Sequence, residues 1–233
     1  MSVPFFYEPL IATGMTQFTL SETSSKHCIQ VLRMDVGEKI EITNGQGGLF
    51  HASILVAHKK NALVTITKAI QNEGPKQKLH LGISLLKNAV RLEWLFEKAT
   101  EMGITNMTPL VCERTIHERF KTERMQQIIQ SAMIQSQQTW LPILSEPTPY
   151  QAFIAQTTAA QKLIAHCEPL DKTSIKSIVA SEDLVLLIGP EGDFAPTEIE
   201  AAIAKDFKPI DLGPSRLRTE TAGIFALSIL KNF

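Results

Sequence analysis

The spacing of apolar and polar residues divides the chain into two stretches of different texture. Over residues 1–72 the dominant period is two. Lys39 to Thr43 alternates as a strand, and Leu49 to Ala57 and Ala62 to Ala69 read as two more, joined by the polar His58-Lys59-Lys60-Asn61 turn. Between the first two, Asn44-Gly45-Gln46-Gly47-Gly48 supplies the positive-φ residues that a tight hairpin needs. One short helix is predicted from about Glu22 to Leu32, with Gly37 close behind it. The pattern is that of a small β-barrel, ended by the linker-like Asn72-Glu73-Gly74-Pro75.

Beyond Pro75 strands alternate with helices. Leu79, Leu81, Ile83 and Leu85 mark a strand, and Leu92, Leu95, Phe96, Ala99 and Met102 then recur at helical spacing, with Gly103 placed to close the helix. Thr105 to Val111 reads as a strand, and Arg124 to Gln138 as a helix with the apolar stripe Met125, Ile128, Ile129, Ala132 and Met133. Pro142, Pro147 and Pro149 mark a loop. Lys162 to Ala165 and Leu184 to Ile188 are short apolar runs of the kind buried in parallel sheets. Helices follow from Pro196 to Lys205, where Thr197 and Glu200 can form a capping box, and from Thr219 to Leu230. This order predicts an α/β domain over residues 76–233, with helices on both faces of a parallel sheet.

Composition adds limits more than content. With 233 residues, 44% hydrophobic and 20% charged, the chain has material for one or two packed domains. The opening MSVPFFYEPL lacks the pattern of a signal peptide, and no apolar run approaches membrane-spanning length, so a cytoplasmic protein without membrane contact is expected. Cys28, Cys112 and Cys167 form no CxxC pair and the histidines are scattered, which argues for unpaired thiols and against a metal site. A net charge of −1 gives no global sign of nucleic acid, so any RNA contact must come from local cations.

Three segments are candidates for chemistry. Ile188-Gly189-Pro190-Glu191-Gly192-Asp193-Phe194 follows a buried strand and precedes a helix, the place where open α/β sheets bind ligands. Its two glycines would let a ligand approach the backbone, although a plain tight turn also accounts for them. Asp211 to Gly223 repeats the arrangement with Gly213-Pro214, and sets Arg216 and Arg218 just before a helix N-terminus. Cations there oppose the helix dipole, so they point to an anion site, unless Glu220 simply satisfies one of them. The third segment comprises Lys87, Arg91, Glu97, Lys98 and Glu101, with Glu113 and Arg114 directly after a strand. A solvated charged face explains most of these, while the position of Glu113 and Arg114 at the ligand end of the sheet favours function.

Taken in order, Lys87…Arg91…Glu97-Lys98-Ala99-Thr100-Glu101-Met102-Gly103, Thr108-Pro109…Glu113-Arg114, Gln135-Ser136…Leu141-Pro142, Ile188-Gly189-Pro190-Glu191-Gly192 and Leu212-Gly213…Leu217-Arg218-Thr219-Glu220-Thr221-Ala222 closely resemble the RsmE-type 16S rRNA (uracil-N3)-methyltransferases of the SPOUT superfamily. His27…Val31-Leu32-Arg33…Gly37 matches that family's amino-terminal domain. The resemblance implies a PUA-like β-barrel for RNA over residues 1–72, then a SPOUT α/β domain over residues 76–233 with a carboxy-terminal trefoil knot. It implies S-adenosyl-L-methionine as cofactor, held by Leu187, Ile188, Gly189, Pro190, Glu191, Gly192, Leu212, Gly213, Ser215, Leu217 and Arg218. It also implies a homodimer acting on 16S rRNA or the small ribosomal subunit. Arg218 and Glu220 are then the catalytic candidates, and His27, Arg33, Lys87, Arg91, Arg114 and Arg216 the RNA contacts.

The chain departs from the family pattern in four places. Asp193 stands where a second glycine usually follows GPEG, and Ala195 where serine is common. Ser131-Ala132-Met133-Ile134-Gln135-Ser136-Gln137-Gln138 lacks both acids and the arginine of the usual EAxEQSxR, and Pro214-Ser215-Arg216 varies LGxxILR slightly. Two other functions remain open on the sequence: a SPOUT ribose 2′-O-methyltransferase, or a non-catalytic RNA-binding assembly factor.

Overall fold

The computed structural model describes residues 3–116 and 119–231. The chain divides into two compact units, one formed by residues 1–74 with 133–141 and the other by residues 75–132 with 142–233.

In the first unit, strands β1 (Phe5–Tyr7), β2 (Gln17–Thr19), β3 (Lys39–Thr43), β4 (Gly48–Val56) and β5 (Leu63–Gln71) form one sheet in the order β1-β3-β4-β5-β2. Only the β1–β3 pair is parallel. Strict alternation on β4 sends Phe50, Ala52 and Ile54 inward to meet Ile40, Ile42 and Val64. The hairpin from β3 to β4 turns through Gly45 and Gly47 at φ of 71° and 88°, while the Asn44 side chain accepts hydrogen bonds from the N–H groups of Gln46 and Gly48. Gly47 is irreplaceable on a second count, since a Cβ there would lie 2.6 Å from the Trp140 ring.

Trp140 comes from the stretch 133–141, which packs with this unit. The hairpin receives that stretch by backbone: Gly47 N–H donates to Thr139 O, and Leu141 N–H to Gly45 O. The Trp140 indole donates to Glu73 O. The predicted helix at Glu22 is shorter than its pattern. Helix α1 (Glu22–Lys26), capped by Ser21, widens into a π-helical turn over His27–Val31, and Arg33 at φ 57° closes it. Cys28 is thereby buried, while His27 and Arg33 stay exposed.

The second unit is built on a parallel sheet. Its strands are β6 (Lys78–Ser84), β7 (Asn106–Val111), β8 (Ile143–Leu144), β9 (Thr148–Pro149), β10 (Gln161–Ala165), β11 (Thr173–Ser174), β12 (Asp183–Ile188) and β13 (Lys208–Asp211), ordered β11-β13-β10-β12-β6-β7-β8 with β9 also on β7. Every pairing is parallel, as the apolar runs predicted. The helices are α2 (Ala89–Glu101), α3 (Thr122–Gln135, whose residues from Met133 on count with the first unit), α4 (Tyr150–Gln156), α5 (Pro196–Ile203) and α6 (Thr219–Leu230). One face carries α2 against α6, where Gly223 lets Leu95 and Ile83 close in. The other carries α4 against α5, with Tyr150, Phe153, Val185, Leu187, Ile199 and Phe207 in one cluster.

The stripe on α3 (Met125, Ile128, Ile129, Ala132, Met133) is buried. One sequence expectation changes here. The cap of α5 is not made by Thr197 and Glu200. Ala195 is the N-cap residue and Pro196 the first helical position, so the capping acid is Glu198, whose Oε2 accepts from Ala195 N–H at 2.9 Å, while the Ala195 side chain returns no bond.

Candidate functional site

Strands β13, β10 and β12 are neighbours, and their last residues lie level: Ala165 pairs with Ile188 on one side and with Ile210 on the other. The three loops that leave these carboxyl ends therefore converge. They enclose a cavity of 810 Å³, with Ala165, Ile188 and Ile210 at its base and Ala222 of α6 on its wall. That volume falls within the range of small-molecule and cofactor clefts, about 300–1,000 Å³.

Each loop is shaped by a local cause. After β12, Asp193 N–H donates to Pro190 O to close a turn, and Asp193 sits at φ 64°. Left-handed backbone explains why glycine suits this position, and Asp is one of the few other residues that tolerate it. The aspartate also ties two loops together, because its Oδ2 accepts from Cys167 N–H at 2.6 Å and its Oδ1 from Phe194 N–H at 2.8 Å. At the turn's entry, a Cβ on Gly189 would stand 3.0 Å from Phe194 N, so the bare backbone edge is required there. Arg114 clamps the loop, donating to Gly192 O at 2.8 Å, and Glu191 Oε1 accepts from Lys87 N–H at 3.1 Å. The loop after β10 is held by Lys172, which donates to the carbonyls of His166 and Glu168. The loop after β13 turns at Gly213, φ 111°. Among the described residues, Leu212 to Leu217 make no hydrogen bond to the other two loops.

Four cations (Arg114, Lys172, Arg216, Arg218) and four acids (Glu168, Glu191, Asp193, Asp211) line the cavity. Such balance suits a ligand carrying charges of both signs. His166 also lines it and is 7% exposed; burial, then the Lys172 cation, pull its pKa below the usual histidine value. Among the described residues no cluster of three or more His, Cys, Asp or Glu could hold a metal ion, and no helix is long and apolar enough to cross a membrane.

Most of the expected cofactor residues meet at this cavity: Ile188, Gly189, Pro190, Glu191, Gly192, Leu212, Gly213, Ser215, Leu217 and Arg218. Leu187 does not. It points to the opposite face of the sheet, where it packs with Phe153 against Gly82. Of the expected RNA contacts, Arg114 and Arg216 reach the cavity, Lys87 is exposed beside Glu191, and Arg91 lies 3.5 Å from Glu220. Glu220 is 8% exposed and does not line the cavity, so the two catalytic candidates are separated. It satisfies neither Arg216 nor Arg218. Lys98 bonds Glu97 and Glu101, which accounts for that charged face. The loop from His166 to Lys172 was missed in the sequence, although the rule that ligands sit at strand carboxyl ends points to it once β10 is recognised.

Two family models match the chain: an RNA methyltransferase domain over residues 72–231 and an RNA methyltransferase PUA domain over residues 20–67. Among curated relatives, a protein of Synechocystis sp. named ribosomal RNA small subunit methyltransferase E is 33% identical over 214 residues, 88% of this chain and 70% of that one. Among solved structures, a ribosomal RNA small subunit methyltransferase E of Neisseria gonorrhoeae bound to S-adenosylmethionine has a TM-score of 0.87 at 28% identity, covering 97% of this chain and 96% of the other. A Legionella pneumophila protein holding the same cofactor has a TM-score of 0.88 at 32% identity, covering 99% and 97%.

Proposed function

Because this chain belongs to the ribosomal RNA small subunit methyltransferase E family, we propose that it methylates N3 of a uridine in 16S rRNA with S-adenosylmethionine as donor. The observation that carries this reading is the cavity where the loops after β10, β12 and β13 converge. Its residues fit the cofactor. The volume of 810 Å³ suffices, and the lining charges match a ligand that bears a carboxylate, an ammonium and a sulfonium. When bound, S-adenosylmethionine supplies a methyl group on a positively charged sulfur, an electrophile that needs no activation.

The chain's own residues must deal with uracil. N3 carries a proton and has no free lone pair, so transfer requires loss of that proton and stabilisation of the anion left behind. N3 also lies on the pairing edge, so the uridine must be single-stranded or extruded. Arg218 is the residue we assign to the anion. It is exposed at the cavity and precedes α6, whose N-terminus adds positive potential. Glu220 is engaged by Arg91, whereas Glu191, Asp193 and Asp211 of the glycine-loop segments line the cavity. Arg216 and the exposed His27, Arg33 and Lys87 are assigned to the RNA backbone. Residues 1–72 are assigned as the RNA-binding domain and 76–233 as the methyltransferase domain, with its carboxy-terminal segment threaded as the trefoil knot that the resemblance implies.

Incubation with 16S rRNA or small subunits and labelled cofactor, followed by mass spectrometry of nucleosides, tests the reading. Methyl label on uracil N3 is expected. Label on a ribose 2′-oxygen, or none, would overturn it.

We further propose a homodimer. Val90 and Trp94 on α2 are 68% and 44% exposed and offer an apolar face. Sedimentation at micromolar concentration should give a species of twice 25.9 kDa. A monomer there would remove the claim.

A further inference from the structure

The loop after β10 holds a polar side chain in an unusual state. His166 is 93% buried at the wall of the cavity, and neither of its ring nitrogens has a hydrogen-bond partner in the protein. Its backbone, by contrast, is fixed on both sides. Lys172 Nζ donates to His166 O at 2.9 Å, and the next N–H, that of Cys167, donates to Asp193 at 2.6 Å. A buried donor and acceptor left unmet cost stability, whereas an apolar side chain of similar shape would cost nothing. Packing alone therefore gives no reason for histidine at this position.

We propose that His166 turns its ring, whose nitrogens are closed to solvent while the cavity is empty, into direct hydrogen-bonding contact with the adenosyl part of the bound cofactor, and that it sets how tightly the pocket holds it. This rests on the reading of the cavity as the S-adenosylmethionine site. A neutral imidazole presents one donor and one acceptor. An adenosyl group offers partners for both, in the ring nitrogens and amino group of the base and in the ribose hydroxyls. Burial and the nearby Lys172 cation keep the ring in that neutral form, so the wall gains no further cation beside a sulfonium. The Asp193 tie then has a role, since it fixes the segment that presents the ring.

The test uses the full chain and S-adenosylhomocysteine as probe, followed by calorimetry. His166→Leu removes both nitrogens and keeps apolar bulk; its affinity should fall by about tenfold or more with a melting temperature no lower than that of the parent. His166→Asn, which keeps a donor and an acceptor, should recover part of the loss. Nitrogen-15 spectra of the unaltered protein provide a second measure that no folding defect can cloud. The two ring resonances of His166 should shift when the probe is added. Parental affinity in a folded His166→Leu protein, or ring resonances that stay in place at saturation, would overturn the contact. An unaltered protein that binds no probe would instead overturn the cofactor reading itself, so the two failures are told apart.

Discussion

Arg218→Ala should slow methyl transfer by about two to three orders of magnitude while leaving cofactor affinity within about threefold of the parent. The guanidinium is exposed at the cavity, and among the described residues it has no hydrogen-bonding or ionic partner. Its removal therefore leaves no buried group unmet and should not lower stability. The backbone of Arg218 still accepts from Ala222 N–H, so the start of α6 survives. Lysine should restore part of the rate only, because a point charge cannot make the planar two-pronged contact to an oxyanion. Single-turnover transfer to 16S rRNA, set beside calorimetry with the cofactor, separates the outcomes. Lost cofactor binding in a folded variant would make Arg218 a cofactor ligand, and full activity would end the anion-site assignment.

The largest loss of stability is expected from Glu198→Ala. Glu198 is 4% exposed, and its carboxylate accepts from two backbone N–H groups at 2.9 Å, Ala195 at the start of α5 and Glu113 after β7. Truncation leaves both donors buried or half-buried without a partner and should cost about 3 kcal/mol or more. Glutamine should recover part of this, since it keeps one acceptor oxygen but turns an amide toward the second donor. The loss should appear as a lower urea midpoint with an unchanged slope. Cofactor affinity should fall as well, because the same carboxylate joins the segment carrying Arg114 to the loop that Arg114 clamps. An unchanged midpoint would show that solvent replaces these bonds freely.

Sequence patterns reached the long elements because their periods are carried by many residues. The strand at Lys39–Thr43 and the helix at Thr219–Leu230 match their predicted bounds. Strands of two or three residues, such as β1, β8 and β11, contain too few positions to show a period. Helix α4 follows Pro149 directly and has seven residues, so its apolar Tyr150, Phe153 and Ile154 look like loop anchors. At the site, the glycine loops were legible because backbone geometry at Gly189 and Gly213 restricts the residue type.

What failed to show was side-chain direction. Leu187 adjoins the loop in sequence, but strand alternation turns it to the other face of the sheet. Glu220 is two positions from Arg218, but Arg218 sits in extended backbone before α6 while Glu220 lies in its first turn, so neighbours in the motif look different ways. Glu198 was hidden for another reason. Its second partner, Glu113 N–H, lies 85 residues away in the chain.

The segment 133–141 has a consequence for how such a protein can be assembled from genes. The chain passes between its two units three times, near residues 74, 132 and 141, because the strip bearing Thr139 and Trp140 is surrendered to the first unit by the second. No single cut in the reading frame yields both units whole. A fusion that carried only residues 1–74 would leave the Gly45–Gly47 hairpin without the strip that covers it, and one that carried only the remainder would leave Trp140 without its seat. The first unit is thus not an exchangeable cassette, and recombination that respects it must import two separate stretches of coding sequence at once.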